Sequence, residues 1–524
     1  MTDAPGARTR SRLLSFDLAR SFAIVMMVLI NFQLMLALRP ADGDGALSGA
    51  LRWIVHVPSG RASSLFVVLA GTGISLLTRE ARHATGRGRW RIRGLATRIL
   101  LLRSAFLLVA GLLLYQVWWI DILHFYACYL LIAALVLWWI PDVLLVLGYL
   151  AVVIAASAIH LLDLPLPDLP LLSVQGFAID VLLDGVHPVI PWIAFVIYGL
   201  WLGRRDLSQP ALRRRIALVA GAIFVTAELG ALLLTTLLLC VPMFAPLAPH
   251  LDLLGTGWSP DPLYVISASC TATLFIVLAH ELMDLPNVAA HRITRAFIAA
   301  GQLALSIYVT HAVLGVHLPR VLFGWRQALP VEAVTAYWFG FCLLVVIGAA
   351  VWRRFLARGP LEFVMRLLTS WRLPSEKAIA VDPYEPTVAP PLPRWTRPLA
   401  LVVAALATVL LLLRITGVPV SATLDDDARL GALSLLGQRQ THELILTEPT
   451  LLVIETHSGL DLYLELDQMS GDTPTRIVED DDSGEGTEAR ITRRLDAGTY
   501  RITVRPYGAT TGPYRLSITR NRLP

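Results

Sequence analysis

Residues 13–38 read LLSFDLARSFAIVMMVLINFQLMLAL. Only Asp17 and Arg20 in this run are charged. A helix crossing a hydrocarbon core of about 30 Å needs roughly 20 predominantly apolar residues, so the run is long enough to span. It is too long for the apolar region of a cleaved signal peptide and has no clear small-residue cleavage site, so it reads as a signal-anchor helix. Outward from it the same signature recurs at 62–79, 97–116, 121–140, 142–161, 188–203, 214–241, 262–284, 295–318, 332–353 and 398–416. Composition agrees: of 524 residues 56% are hydrophobic and 16% charged, against roughly 25% charged in soluble domains. The fold class expected is an all-α polytopic membrane bundle of about eleven transmembrane helices, followed by a small all-β sandwich.

The net charge of +5 is no nucleic-acid signal, because the arginines sit in short clusters between apolar runs. Arg8, Arg10 and Arg12 precede the first span, Arg79 to Arg93 follow the second, Arg204 to Arg215 the sixth, and Arg353 to Arg358 the tenth. All fall on one side if the N-terminus is cytoplasmic, as the positive-inside rule requires. The expected placement is a bacterial inner membrane, multi-pass, with the C-terminal domain extracytoplasmic. Four cysteines lie in or beside the spans without CxxC spacing, which reads as buried thiols and not as a disulfide framework or zinc site. The expected division is a ten-helix body over 1–365, a Pro-rich cytoplasmic linker over 366–397, a plain Leu/Val/Ala anchor over 398–416, and a β-domain over 418–524. In the last, alternating runs such as Leu451–Thr456, Ala489–Leu495 and Tyr514–Thr519 are separated by turn signals such as Ser470-Gly471-Asp472, the spacing of a small sandwich.

Ionisable residues inside spans are costly, and function is the default hypothesis for them. Asp17 and Arg20 are three apart at the inner end of the first span, either a structural clasp or part of an anion site; Arg98 and Arg103 begin the third span on the same side, where snorkelling is the plain alternative. Toward the outer side lie His56, His124, His187 and His311. Asp121 shares a helical face with His124, and Tyr308 with His311; Gln302, Ser306 and Thr310 lie on the same helix as the latter pair. Structural histidines, a proton relay, a metal site and a general-base site all use such residues, since imidazole titrates near neutral pH. No HxxxH or HExxH spacing occurs, so no metal is expected.

Several of these residues fall in motifs. Ser15-Phe16-Asp17-Leu18-Ala19-Arg20 followed by Asn31-Phe32, Gly60-Arg61-Ala62-Ser63-Ser64-Leu65-Phe66, Asp121-Ile122-Leu123-His124-Phe125-Tyr126, His187-Pro188-Val189-Ile190-Pro191-Trp192, Gly301 to His311, and Gly359-Pro360-Leu361-Glu362-Phe363 stand in order along the chain. Together they resemble a bacterial multi-pass branch related to heparan-α-glucosaminide N-acetyltransferase. The resemblance implies a transmembrane acyltransferase that takes an acyl group from cytosolic acyl-CoA, acetyl-CoA first, to a glycan or lipid acceptor across the bilayer. It implies a catalytic histidine before the second span, nearest to His56 here. His124 with Asp121 and His311 with Tyr308 are the other catalytic candidates, and Asp17, Arg20, Arg98 and Arg103 the candidates for the CoA phosphates. Asn31, His187, Trp192 and Gln302 are the substrate candidates. The bilayer is the expected partner, with no nucleic acid; a homo-oligomer is compatible. A transporter or flippase and a non-catalytic scaffold are the alternatives. The tail resembles the bacterial pre-peptidase C-terminal domain, through Leu460-Asp461-Leu462-Tyr463-Leu464, Ala497-Gly498-Thr499-Tyr500 and Gly512-Pro513-Tyr514-Arg515-Leu516. Its acidic run Glu479 to Asp482 reads as a solvated turn, with Ca²⁺ the alternative.

Overall fold

The computed structural model describes residues 5–36, 51, 54, 60–86, 88–162, 173–241, 243–244, 253–255, 262–323, 329–370, 394–416, 422–425, 428–433, 439–458, 460, 462–471, 473–481, 483–484, 488–506 and 512–522. In chain order its helices are α1 (Pro5–Leu36), α2 (Arg61–Leu77), α3 (Arg79–His83), α4 (Arg89–Tyr115), α5 (Leu123–Leu135), α6 (Asp142–Leu162), α7 (Val174–Ile179), α8 (Val189–Gly203), α9 (Pro210–Cys240), α10 (Pro262–Asp284), α11 (Arg292–Gln302), α12 (Ala304–Thr310), α13 (Leu318–Phe323), α14 (Val331–Phe355), α15 (Pro360–Ser370) and α16 (Thr396–Thr416). Lipid offers the backbone no hydrogen-bond partners, so apolar runs of this length fold as helices.

Among the described residues, eight helical stretches are long and apolar enough to cross a membrane. The other three expected spans are the shorter α2, α5 and α8. Burial sorts them. The window of α1 is 67% buried and that of α10 61%, whereas those of α6, α14 and α16 are 11% buried. α1 and α10 are therefore the centre of the bundle, and the Leu/Val faces of the latter three point outward. The short helices lie inside: α2 and α8 cross where Gly71 meets Gly199, and Gly203 lies against Thr72 and Ser75. A Cβ on Gly71 would run into the Val196 carbonyl, and one on Gly199 into that of Val68. Small residues at the crossing let two backbones touch, and dispersion then replaces the hydrophobic effect that lipid cannot supply.

The polar ends group as the alternation of spans requires. Arg204 donates to the carbonyls of Trp138 and Ile140 and to Asp142 at 2.7 Å, and Arg205 reaches Asp142 at 2.6 Å. Arg82 donates to Ser75; burial first, and then Arg204, push its guanidinium down to about 10. Arg213, 1% exposed, joins the start of α9 to Glu281 and Asp284 at the end of α10.

One expectation needs correction. The span over 295–318 is not one helix: Leu303 (φ −107°, ψ 21°) ends α11 and begins α12, and from His311 to His317 the chain runs as a π helix before α13. The helix over 398–416 packs on α9, where Leu410 meets Val225 and Leu229. Helix also continues through Ser370, past the body boundary drawn at 365.

The tail is all-β. Its strands are β1 (Ala422–Asp425), β2 (Ala428–Leu433), β3 (Gln440–Leu446), β4 (Thr450–His457), β5 (Leu462–Ser470), β6 (Thr473–Asp480), β7 (Arg490–Leu495), β8 (Gly498–Pro506) and β9 (Gly512–Arg522). They form two antiparallel sheets, β1-β2-β9-β4-β7 and β3-β8-β5-β6. Alternation in β4 (TLLVIETH) sends Leu452 and Ile454 into a core shared with Leu464, Leu466, Ile502 and Leu516. The acidic run is not all turn: Glu479 and Asp480 end β6, and Asp480 accepts from the amides of Ser483 and Arg490.

Candidate active site

α5 begins where a carboxylate makes it begin. The first N–H groups of a helix have no intrahelical acceptor. Asp121, two residues before α5, turns its Oδ2 back onto the amides of Leu123 at 3.0 Å and His124 at 3.2 Å. The same oxygen lies 3.0 Å from His124 Nδ1. A carboxylate has no hydrogen to give, so Nδ1 is the donor. Both side chains are fully buried. One residue thus starts the helix and fixes the ring.

Around this pair the fold brings in groups far apart in sequence. Tyr308 Oη lies 3.3 Å from Asp121 Oδ1 and accepts from the amide of Ile122 at 3.1 Å. One turn along, the His311 ring is 5.0 Å from that of Tyr308 and 5.4 Å from that of Trp118. Asn31 Nδ2 on α1 donates to His311 Nε2 at 2.9 Å. On the other flank, Asp180 Oδ2 stands 3.5 Å from His124 Nε2. The result is one polar line, Asn31–His311–Tyr308–Asp121–His124–Asp180, inside the bundle. The two ends share a local feature: Asp180 opens a five-residue π turn after α7, and His311 opens the π segment after α12. Such segments are concentrated at functional sites.

The line discriminates between the two histidines. His311 Nε2 already accepts from Asn31, whereas His124 Nε2 is buried without a well-formed hydrogen bond and faces Asp180. Of the two rings, His124 is the one whose Nε2 carries no amide donor. His187 and Trp192 pack together, ring centroids 4.5 Å apart, behind Phe125, which touches the His124 ring at 4.0 Å. They wall the site; the Tyr129 hydroxyl holds the His187 backbone by donating to its carbonyl at 2.5 Å. His56 lies outside the described residues. Among the described residues no group of three or more His, Cys, Asp or Glu side chains is arranged to hold a metal ion.

The inner end of the bundle carries a second cluster. Arg20 pairs with Asp17 at 2.6 Å, and Gln302 donates to the other oxygen of Asp17 at 2.9 Å. Gln302, expected with the substrate group, therefore belongs to this end. Arg103 lies within electrostatic reach of Arg20 and Arg366, and its Nε is buried without a hydrogen-bond partner. Arg98 instead is exposed on α4. Asp17 and Asn31, one in each cluster, are about 21 Å apart along α1, at 1.5 Å rise per residue. Tyr126 lies between them: its hydroxyl is buried without a hydrogen-bond partner and within electrostatic reach of Arg20.

Asp180, Trp118, Tyr126 and Arg366 were not singled out from the sequence. Asp180 left a signal, an acidic residue in the otherwise apolar run Val174–Leu183.

Residues 12–242 match the family model of the heparan-alpha-glucosaminide N-acetyltransferase catalytic domain. Residues 209–372 match the model of a protein family of unknown function, DUF418. Comparison with curated proteins gave no match. The first region holds Asn31, Asp121, His124 and Asp180; the second holds Tyr308, His311 and Glu362.

Proposed function

We propose, from the match of residues 12–242 to the heparan-alpha-glucosaminide N-acetyltransferase catalytic-domain model, that the chain moves an acyl group from cytosolic acyl-CoA to a hydroxyl or amine of a glycan or lipid across the bilayer. The observation that carries the reading is the buried Asp121–His124 pair, whose second ring nitrogen is left facing Asp180. That is the geometry of an oriented general base.

His124 Nε2 takes the proton of the acceptor as its oxygen or nitrogen attacks the thioester carbonyl. The new bond to the acyl carbon forms as the C–S bond breaks, and the departing thiolate receives the proton. Asp121 stabilises the imidazolium between these steps. Arg20, Arg103 and Arg366 supply guanidinium groups for the phosphates of the donor, a pairing favoured by charge and geometry. The arginines and the His124 pair lie at different depths of the bundle, which suits a donor whose thioester stands at the end of an arm away from its phosphates. In this reading the arginine cluster faces the cytoplasm and the tail stands outside.

Inverted membrane vesicles containing the full chain, given radiolabelled acetyl-CoA and in parallel longer acyl-CoAs, test the proposal. The expected result is label in lipid or glycan with the parent and none with His124→Ala, while Arg103→Gln raises the KM for the donor. Absence of transfer from every donor, or full transfer by His124→Ala, overturns it.

A further inference from the structure

The break at Leu303 leaves α12 with first-turn amides that lack intrahelical acceptors. The acceptor comes from 56 residues away. Ser306 N donates to Glu362 Oε1 at 3.0 Å, Ser306 Oγ donates to Glu362 Oε2, and the amide of Leu361 donates to Ser306 Oγ at 3.1 Å. Two helices thus cap one another at their N-terminal turns, with a carboxylate at the positive end of α12. The joint is tight: a Cβ on Gly359 would collide with the Glu362 carboxylate and the Ser306 hydroxyl. Tyr308 follows Ser306 by two residues and His311 by five. Thr310 Oγ1 donates to the Ser306 carbonyl at 2.7 Å, carrying the clamp on to the residue before His311. Arg366 stands one turn beyond Glu362 on α15, within electrostatic reach of Arg103.

We infer that Glu362 is a positioning residue: by capping α12 through Ser306 it fixes the register in which Tyr308 meets Asp121 and His311 meets Asn31, and α15 ties that register to the arginine cluster. The part concerning turnover rests on the acyltransferase reading. The part concerning register does not. With a helix that begins at an unclamped break, α12 is free to rotate about its axis, and the Tyr308 and His311 hydrogen bonds are lost together.

The full chain in nanodiscs is compared with Glu362→Ala, Glu362→Gln and Ser306→Ala. Three quantities are read: amide hydrogen exchange over 304–317, carbethoxylation of His311 by diethylpyrocarbonate, and kcat and KM for acyl transfer per folded molecule. In Glu362→Ala, exchange and His311 modification should each rise at least about tenfold, since Nε2 loses Asn31. Turnover should fall on the order of 10- to 100-fold with the KM for acyl-CoA within about twofold, because misplacement acts on the reacting geometry and not on donor binding. Glu362→Gln keeps an acceptor for Ser306 N and should restore most of both effects. Ser306→Ala, which keeps the amide, serves if Glu362→Ala does not fold. Unchanged exchange and unchanged His311 modification overturn the inference whatever the activity. A rise in exchange with unchanged turnover reduces Glu362 to a structural cap and also overturns it. If the parent transfers nothing from any donor, the acyltransferase reading falls, and exchange with His311 modification still decides the register.

Discussion

Replacing Asp121 with Asn isolates the charge of the buried pair from its geometry. Asp121 Oδ2 accepts three N–H groups: the amides of Leu123 and His124 and His124 Nδ1, at 3.0, 3.2 and 3.0 Å. An Asn carbonyl in the same place keeps all three, but its NH₂ takes the place of the oxygen to which Tyr308 Oη donates, and that hydroxyl loses its acceptor. Asn caps helices about as well as Asp, so the stability cost should be that of the one lost Tyr308 hydrogen bond, about 1–3 kcal/mol. What is lost is the anion beside the imidazolium. At an effective dielectric of about 20, two unit charges 3.0 Å apart attract by roughly 5–6 kcal/mol before desolvation is subtracted. Hydrogen bonds to charged groups retain about 1.5–3 kcal/mol net. If that is withdrawn from the transition state, the rate falls roughly 10- to 150-fold, at 1.36 kcal/mol per decade. The assay is single-turnover acyl transfer in proteoliposomes, normalised to folded protein by thermal unfolding with a thiol-reactive dye. Asp121→Ala is the less informative variant. It removes the cap and strands buried N–H groups, at about 1–3 kcal/mol each. An Asn variant that folds like the parent and transfers within twofold of its rate would refute the role given to Asp121.

Other outcomes follow from packing and charge. Gly71→Ala and Gly199→Ala force α2 and α8 apart and should each cost about 1–3 kcal/mol in thermal unfolding, whereas Gly73→Ala, with open space around its Cβ, should be neutral or mildly stabilising. Arg213→Met removes the link between α9 and α10. Because Glu281 and Asp284 are 39% and 47% exposed and water can take them up, the loss should be about 1–3 kcal/mol and not the larger figure of a fully buried pair. In the tail, burial and then Arg429 hold the His442 imidazole below its ordinary 6.5, and its Nε2 meets Tyr514 Oη at 2.8 Å. The unfolded chain then binds the extra proton first, so stability is full above about 6.5 and is lost as pH falls through the lower folded value. Protection factors of the amides in β3 and β9, with the intrinsic pH dependence of exchange divided out, should fall on that acid side in the parent and lose this dependence in His442→Gln.

The spans were legible because each is a local property of about twenty residues. So were the two short-range pairs, Asp121 with His124 and Tyr308 with His311, which one helical turn brings together. Their union was not legible: Tyr308 reaches Asp121 across 187 positions and Asn31 reaches His311 across 280, and no local pattern encodes such pairings. The break at Leu303 escaped for a related reason. Its surroundings are apolar and helix-forming, and what allows the break is Glu362, on another helix. Gln302 was placed among the substrate candidates because it shares a helical run with His311; packing against α1 gives its amide to Asp17. Arg98 and Arg103, alike in sequence, separate only when packing turns one outward and the other toward Arg20 and Arg366.

The two π segments make the site editable in steps smaller than a helical turn. A π turn holds one residue more than the α turn it replaces, and one residue corresponds to about 100° of rotation. Losing or gaining a single codon within 180–184 or 311–317 therefore re-aims the chain on one side of the segment while leaving the other side where it was. Asp180 and His311 each open such a segment, so the two ends of the polar line can diverge between relatives independently of each other, and independently of the glycine crossings that hold the bundle together.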